Sequence, residues 1–485
     1  MKRLVLTCAV VAMLATTAAA GSSAATTLCV GGSGCYATLQ AALAAAHDGD
    51  TIAVAPGTYA GGVTVDVGVT IQGAGAGRTT IKGGGPVLTI GTFLGASEPT
   101  VAIRGVTVTG GDNTSSPDET VGQGGGVWIP VGANQTTGAT VTIADSVITG
   151  NTVATPETAP PGGFCGPLAC GFDDGGGIDN GGNLTMTNTQ VTNNLVGGST
   201  GVASGDGSGG ILNRSQGSLV LRDSLISGNR VLALGPNGRG ANAGGLANDG
   251  ALTVDGVVVD GNSAQLDDVF PGGIDDGAFA GGIDLEGSKT VTIRDTVVSR
   301  NRVSSSDAVG DEYGYAGGIL AASGTLQLSS STIVGNQVSV KSSGSAYEDG
   351  GGIEVDGTAT IVKSLISGNT VSGSAGTGGQ AVAQGGGIAN VGTTTLQNSI
   401  VSLNSVLATG TGGLAQGGGI WNSVFNQGDP PPQLTLVDTA VTGNRIAAGP
   451  GVTMQGGGVY SSGPLLRTRA PIAANVPDQC VGDGC

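Results

Sequence analysis

A short motif, two glycines followed by an aliphatic residue, recurs ten times along the chain at intervals of about 35 residues. An asparagine follows each copy, and in the first nine repeats the residue three positions before it is Val or Ile. The aliphatic residues are Val127, Ile178, Ile211, Leu246, Ile283, Ile319, Ile353, Ile388, Ile420 and Val459, and the asparagines are Asn151, Asn194, Asn229, Asn262, Asn301, Asn336, Asn369, Asn404, Asn444 and Asn475. A repeat of this length predicts a solenoid in which each unit forms one coil.

Each repeat contains three short segments of alternating polarity, for example 209–213, 219–222 and 225–229. They are too short for helices and are typical of β-strands. Equivalent strands stacked about 4.8 Å apart would form parallel sheets, so that like residues lie on like. We therefore expect a column of asparagine amides, a column of Ser and Thr hydroxyls and a buried column of Val and Ile. Gly and Asn suit the corners because they accept positive backbone angles.

The composition excludes several other classes of protein. Glycine makes up 95 of 485 residues, whereas aromatic residues are 3% and charged residues 11%. The scarcity of aromatic residues argues against a packed multi-domain enzyme. The glycines come in pairs and triplets rather than at every third position, which excludes collagen. Because 39% of the residues are hydrophobic, disorder is also a poor description.

These repeats resemble those of right-handed parallel β-helix proteins of the pectin-lyase-like class, and the Gly-Gly-Ile with its following Asn is similar to the repeat of polymorphic outer-membrane proteins. The stretches 39–43, 47–52 and 56–59 look like the capping helix and first turn of that fold. The resemblance covers roughly residues 36–475 and implies an all-β, single-stranded solenoid of roughly twelve coils with a short N-terminal capping helix. This fold carries lyases, hydrolases, epimerases, adhesins and inert scaffolds, so the resemblance alone selects no function.

The amino-terminal segment predicts export. Lys2 and Arg3 precede an apolar run at 4–14 and three alanines at 18–20, the pattern of a signal peptide at residues 1–20. No second apolar stretch of spanning length follows, so we expect no membrane insertion of the mature chain and a secreted or surface-associated location. The net charge of −17 disfavours nucleic acid as a partner.

Six of the seven cysteines form close pairs in sequence, which in an exported protein predicts three local disulfides. The pairs are Cys29 with Cys35, Cys165 with Cys170, and Cys480 with Cys485. We accordingly divide the mature chain into a disulfide-bearing lead-in at 21–35, the β-helix with its N-terminal cap at 36–475, and a C-terminal disulfide cap at 476–485.

Loops between the asparagine and the next glycine pair are the expected location of function, because variable loops lie on one flank of a solenoid. Most are bland, such as 370–384, but three consecutive loops are acidic and carry aromatic residues. Their predicted ligand-binding residues are Asp276, Asp311, Glu312, Tyr313, Tyr315, Tyr347, Glu348 and Asp349. A possible calcium site would use Asp275, Asp276, Asp311, Glu312 and Asp349, because carboxylates suit a hard cation.

The residue that follows the aliphatic residue of each Gly-Gly motif should point out of the solenoid, because the aliphatic residue itself points into the core. Asp284 and Glu354 occupy this position two coils apart, hence about 9.6 Å apart at the backbone. That spacing is close to the separation of two carboxylates that hold a water between them in inverting glycoside hydrolysis. A plain solvated surface is the alternative. Arg302 is a weak candidate for the basic residue of a pectate-lyase-like site.

Two functions follow from these observations. The first is a secreted, non-catalytic scaffold that binds an extracellular polysaccharide or a cell surface. The alternative is a polysaccharide lyase or glycoside hydrolase, with or without calcium. Because His47 is the only histidine, mechanisms that need a histidine base near the middle of the helix are not available.

Overall fold

The computed structural model describes residues 24–113, 124–153, 175–197, 207–234, 240–268, 277–307, 310–425 and 430–485. These residues form a parallel β-helix, which confirms the predicted fold class. The signal-peptide residues 1–20 and the Cys165–Cys170 pair lie outside the described residues. In the described part of the chain, no helix is both long and apolar enough to cross a membrane.

Three long parallel sheets surround the main core. Sheet A has 14 strands: Thr27–Val30, Thr51–Val54, Thr70–Gly73, Thr100–Arg104, Thr140–Ala144, Asn183–Thr187, Ser218–Arg222, Ala251–Asp255, Thr290–Arg294, Thr325–Ser329, Thr358–Val362, Thr393–Gln397, Gln433–Val437 and Leu465–Thr468. Sheet B has 13: Gly57–Ala60, Thr79–Lys82, Thr107–Thr109, Val147–Thr149, Gln190–Thr192, Leu225–Ser227, Val258–Asp260, Val297–Ser299, Thr332–Val334, Leu365–Ser367, Ile400–Ser402, Ala440–Thr442 and Ile472–Ala473. Sheet C has 13: Val63–Val65, Leu88–Ile90, Val127–Ile129, Ile178–Asn180, Ile211–Asn213, Leu246–Asn248, Ile283–Leu285, Ile319–Ala321, Ile353–Val355, Ile388–Asn390, Ile420–Asn422, Val459–Ser461 and Cys480–Gly482.

Two further parallel sheets form an outer layer, which the sequence did not predict. Sheet D has ten strands: Asp112–Asn113, Thr152–Val153, Leu195–Gly197, Arg230–Leu234, Ser263–Asp268, Arg302–Asp307, Gln337–Ser342, Thr370–Ser374, Ser405–Thr409 and Arg445–Ala448. Sheet E has six: Gly277–Phe279, Glu312–Tyr315, Ala346–Asp349, Ala381–Gln384, Gly413–Gln416 and Val452–Gln455. The loop 370–384, expected to be bland, therefore contributes one strand to each sheet. Its Val371, Ala381 and Ala383 are buried in a second apolar core between the two sheets.

The asparagine column forms the predicted ladder along one corner of the β-helix. From Asn151 to Asn444, each amide Nδ2 donates to the Oδ1 of the next asparagine at 2.9 or 3.0 Å. Each Nδ2 also donates to a backbone carbonyl of the preceding coil, as Asn336 does to Val298 at 3.0 Å. The ladder satisfies side-chain groups that are fully buried, which is the condition for placing a polar column inside the fold.

The hydroxyl column is also confirmed, and its geometry explains the one exception. Ser331 Oγ accepts the backbone N–H of Thr296 at 3.2 Å and donates to the carbonyl of Ser329 at 2.8 Å. Val257 has no hydroxyl, but its own N–H still donates to Thr296 Oγ1 in the next coil. The ladder therefore continues through a valine with the loss of one hydroxyl, which elsewhere in the column accepts one hydrogen bond and donates another.

The glycine pairs are required by close packing rather than by corner geometry. A Cβ at Gly318 would lie 2.5 Å from the carbonyl oxygen of Gly352 in the next coil. Positive backbone angles occur elsewhere, at the glycine that precedes the ladder asparagine, for example Gly335 at φ 65° and Gly368 at φ 64°. The prediction of glycine corners is therefore confirmed before the ladder asparagine, and also at the glycine that precedes several of the pairs, such as Gly350 at φ 64°.

Both ends of the solenoid are closed. At the amino end, the helix Leu39–Ala45 begins at Thr38, whose side chain accepts the N–H of Ala41, and it buries Leu39, Ala42 and Leu43. The predicted disulfides Cys29–Cys35 and Cys480–Cys485 are present. The segments at 21–35 and 476–485 are more than lead-in and cap, because each contributes an end strand, to sheet A and sheet C respectively.

Candidate functional site

Four aromatic rings form a strip on sheet E, which we call the aromatic strip: Phe279, Tyr313, Tyr315 and Tyr347. Strand register places Phe279 beside Tyr315 and Tyr313 beside Tyr347. The ring centroids are 5.3 Å apart in the first pair and 5.0 Å in the second, with planes inclined by 13° and 12°. Tyr313 and Tyr315 are 6.4 Å apart on one strand. All four side chains are half-buried, so the sheet holds a rigid aromatic surface within reach of solvent.

The residues predicted to bind a ligand are divided between the two faces of sheet E. Because side chains alternate along a strand, Tyr313 and Tyr315 face outward whereas Glu312 faces sheet D. Ser305 of sheet D donates a hydrogen bond to Glu312 there. Glu348 also faces sheet D and occupies space left by Gly373, where a Cβ would overlap its carboxylate. These two glutamates, both predicted to bind a ligand, are therefore buried on the face opposite to the tyrosines.

Glu348 is an unusual residue for the interior between sheets D and E. It is fully buried, and neither of its carboxylate oxygens has a hydrogen-bond partner among the described residues. Burial, and secondly the charge of Asp349, raises the pKa of Glu348 well above its ordinary value. Ionising Glu348 is therefore harder than ionising an exposed glutamate.

Asp284 and Glu354 lie two coils apart in register, as predicted, but they are not solvated. Asp284 is 1% exposed and Glu354 is 2% exposed, and Leu320 occupies the coil between them. Both side chains point away from the main core, and the outer layer covers them there. The interpretation as a solvated surface was therefore wrong, and the leucine leaves no place for a water held between the two carboxylates.

A group that we call the carboxyl cluster, Asp349, Glu354 and Asp356, lies beside the aromatic strip. Burial, and secondly the charge of Asp356, raises the pKa values of Asp349 and Glu354 well above the usual range. Asp356 retains an exposed side chain, but desolvation by surrounding atoms raises its pKa to about 6. Tyr315 is close enough that burial, followed by the charge of Asp349, raises the pKa of its phenol.

The remaining predicted residues do not join this group. Arg302 is exposed and begins a strand of sheet D, in register with Ser263 and Gln337. Asp311 is exposed, and its Oδ1 accepts the N–H of Ser345 at 2.7 Å. Asp275 and Asp276 lie outside the described residues.

The described members of the proposed calcium set do not converge. Glu312 and Asp349 lie on opposite faces of sheet E, three strand positions apart, because Tyr315 rather than Glu312 pairs with Asp349. Within the residues that the structure describes, no group of three or more His, Cys, Asp or Glu side chains is arranged to hold a metal ion. The donor set therefore does not fit calcium in this part of the chain.

The structure also brings forward residues that the sequence analysis did not select. Arg214 forms a bidentate ion pair with Asp179, in which both N–O distances are 2.7 Å. Asp179 is fully buried. Farther along the same outer face of sheet C, Glu286, Ala322 and Asp356 occupy equivalent positions one residue past three successive strands. Glu286, Ala322 and Asp356 could have been identified from the sequence. Side chains alternate in direction along a strand, so these three residues point outward as Asp284 and Glu354 do.

No family model and no curated protein sequence matches this chain. Among solved structures, the chain is similar to the A-module of the mannuronan C-5 epimerase AlgE6 from Azotobacter vinelandii. The two share 16% identity at a TM-score of 0.35, over 89% of this chain and 94% of that one. A likeness at this level identifies no common ligand or site residue.

Proposed function

We propose that this protein is an extracellular carbohydrate-binding β-helix, which holds a neutral, hydroxyl-rich polysaccharide against the aromatic strip without cleaving it. The observation that carries the proposal is the strip itself, in which sheet register holds three tyrosines and a phenylalanine nearly parallel and half-exposed. An amphipathic ring with a polar tip suits a ligand that offers both C–H and O–H groups.

The rigidity of the strip favours binding. A tyrosine has few rotatable bonds, and mutual stacking already fixes these rings, so little conformational entropy is lost when a ligand binds. Neighbouring rings cover each other's faces between coils. Beyond Tyr347, Val382 follows in register in the next coil. A sugar chain would therefore contact the ring edges and the phenol hydroxyls.

The charge around the strip favours a neutral polymer over an acidic one. Asp311 is exposed nearby, the whole chain carries a net charge of −17, and Asp356 gains negative charge above about pH 6. These groups repel a polyanion such as a polyuronate.

The test is retention on insoluble neutral polysaccharides, compared with a soluble polyuronate. We expect Tyr313→Ala and Tyr347→Ala each to weaken retention about fivefold, because an aromatic contact contributes on the order of 1 kcal/mol. Phe93→Ala is the matched control, since Phe93 is 41% exposed and stacks on Trp128 away from the strip. Retention that is unchanged in both tyrosine variants would reject the proposal.

Hydrolysis is a second candidate, favoured by the exposed pair Glu286 and Asp356. The small side chain of Ala322 lies between them, whereas Leu320 fills the corresponding place between Asp284 and Glu354. Two coils correspond to about 9.6 Å, near the separation used by inverting glycosidases. Asp356, with its pKa raised to about 6, would be the proton donor. Polymer shortening that is lost in Asp356→Asn would support this role, and unchanged polymer length with the wild-type protein would exclude it for the polymers used.

A further inference from the structure

Asp349 lies at one end of a row of glutamine side chains in sheet E. Strand register places Gln384, Gln416 and Gln455 in the same column in the three following coils. Asp349, Gln384 and Gln416 are 4%, 7% and 4% exposed, so water does not satisfy their polar atoms. Each must therefore find its partner within the row or beside it.

The side-chain contacts in this row allow two amide orientations, and in the first of them all amides donate in one direction. Gln384 Nε2 donates to Gln416 Oε1 at 3.0 Å, and Gln416 Nε2 donates to Gln455 Oε1 at 2.7 Å. The buried indole of Trp421 also donates to Gln416 Oε1, at 3.2 Å. This arrangement leaves the side-chain oxygen of Gln384 only 3.0 Å from Asp349 Oδ1. Two oxygens at that distance are stable neighbours only when a proton lies between them, and a protonated Asp349 supplies it.

When Asp349 is ionised, a second orientation of the amides satisfies the hydrogen-bonding atoms of the same side chains. Turning the Gln384 amide by half a turn lets its nitrogen donate to Asp349 Oδ1 at 3.0 Å and its oxygen accept from Trp421 Nε1 at 3.2 Å. Gln416 and Gln455 must then turn as well, because the Gln384 oxygen would otherwise face Gln416 Oε1. The row thus has two fully bonded states, which differ by one proton and by the direction of donation.

We propose that Asp349, Gln384, Gln416 and Gln455 form a proton-coupled two-state switch. With Asp349 protonated, the row donates away from Asp349 and Trp421 bonds to Gln416; with Asp349 ionised, the whole row reverses and Trp421 bonds to Gln384. The switch is a property of sheet E and does not depend on the proposed carbohydrate binding.

The surroundings of Asp349 oppose its ionisation. Tyr315 pairs with it on the preceding strand, Glu348 is its chain neighbour, and Glu354 and Asp356 lie on the adjoining sheet C segment. These neighbours are acidic or neutral, so none of them favours the ionised form. Burial, and secondly Asp356, holds the pKa of Asp349 well above the ordinary value of an aspartate.

The experiment follows the Trp421 indole N–H and the three glutamine side-chain amides of the full protein by nitrogen-15 NMR from about pH 5 to about pH 9. We expect all four groups to shift with one shared midpoint, because one proton changes all of their bonds. Trp128, the other of the two tryptophans, serves as an internal control and should not follow that midpoint.

Two substitutions separate the switch from general electrostatics. Asp349→Asn cannot ionise, so the shared transition should disappear while the fold is retained. Asp356→Asn removes a neighbouring charge but no member of the row, so the transition should persist with its midpoint at lower pH. A transition that survives in Asp349→Asn would overturn the proposal.

A direct measurement needs no variant at all. The carbon-13 shift of the Asp349 carboxyl in the wild-type protein reports its protonation. The proposal requires that this carboxyl titrate at the midpoint shown by Trp421. A carboxyl that is already ionised at about pH 5, or a Trp421 signal that stays constant while it titrates, would overturn the switch.

Discussion

Asn336 donates from its Nδ2 to Oδ1 of Asn369 at 3.0 Å, and its backbone N–H donates to the same oxygen at 2.9 Å. One buried side-chain oxygen therefore accepts two hydrogen bonds from the preceding coil. The same pair of bonds joins Asn301 to Asn336. Each ladder asparagine is in this way both the acceptor for one neighbour and the donor to the next.

Replacing a ladder residue should therefore cost more than one hydrogen bond. Asn336→Ala removes the acceptor of two Asn301 donors and leaves them buried. We expect the free energy of unfolding to fall by about 3 kcal/mol, measured by urea denaturation. The exposed Gln397→Ala serves as control and should change it by less than about 0.5 kcal/mol. Equal values for the two variants would show that the ladder is not stabilising.

The glycine pairs should be intolerant of even one carbon atom. In Gly318→Ala the new Cβ would lie 2.5 Å from the Gly352 carbonyl oxygen, so the coils would have to separate. Gly77→Ala is the matched control, because no atom lies within 4 Å of a Cβ built there. We expect a loss of thermal stability in the first variant and little change in the second. Similar melting temperatures would contradict the close-approach explanation.

The buried carboxyl groups should make the protein less stable as the pH rises. Glu348, Asp349 and Glu354 have pKa values raised in the folded state, mainly by burial. The folded protein then binds more protons than the unfolded chain, and stability falls between about pH 4 and the raised values, by up to about 1.4 kcal/mol per pH unit for each proton.

Denaturation at about pH 5 and about pH 8 checks this sign. Glu348→Gln keeps the shape of the side chain but cannot ionise, so it should reduce the stability difference between the two pH values. Asp50 and Asp438, whose pKa values are lowered by hydrogen bonds, act in the opposite sense at more acidic pH. Higher stability at about pH 8 would contradict the prediction.

The Asp179 and Arg214 pair should behave as a buried ion pair. Desolvation raises the pKa of Asp179, and this effect outweighs the opposing charge and hydrogen bond of Arg214. Arg214→Met leaves that carboxylate without its ion-pair partner, and we expect a cost of about 3 kcal/mol. The double change with Asp179→Leu should recover much of the loss. A double variant as unstable as Arg214→Met alone would show that packing, rather than charge, explains the effect.

The repeated features of the fold could be read from the sequence, whereas the outer layer could not. The Asn and Val positions recur at the same place in each repeat. The residues that stack on Asn194 and Val191 in the neighbouring coils could therefore be identified from the sequence. The outer strands have no shared signature: Arg302–Asp307 and Gln337–Ser342 have different sequences and pair because the coil beneath brings them into register. Burial of Asp284 and Glu354 depends on that layer and was therefore misjudged.

A weak signal for the glutamine row was nevertheless present. Gln384, Gln416 and Gln455 each stand immediately before three glycines, as Asp349 does. The position is fixed relative to the glycine corner, so equivalent residues must stack. The aspartate at the head of the column is then the one member able to lose a proton.

The coil interfaces joined by the asparagine ladder are nearly interchangeable, because each presents the same amide and the same Gly-Gly edge to its neighbour. A duplicated or deleted unit of about 35 residues would meet a matching surface on both sides. Such a chain can lengthen or shorten during evolution by whole coils, whereas insertions of partial coils would break the column. Variation in total length among descendants should therefore come in steps of one repeat.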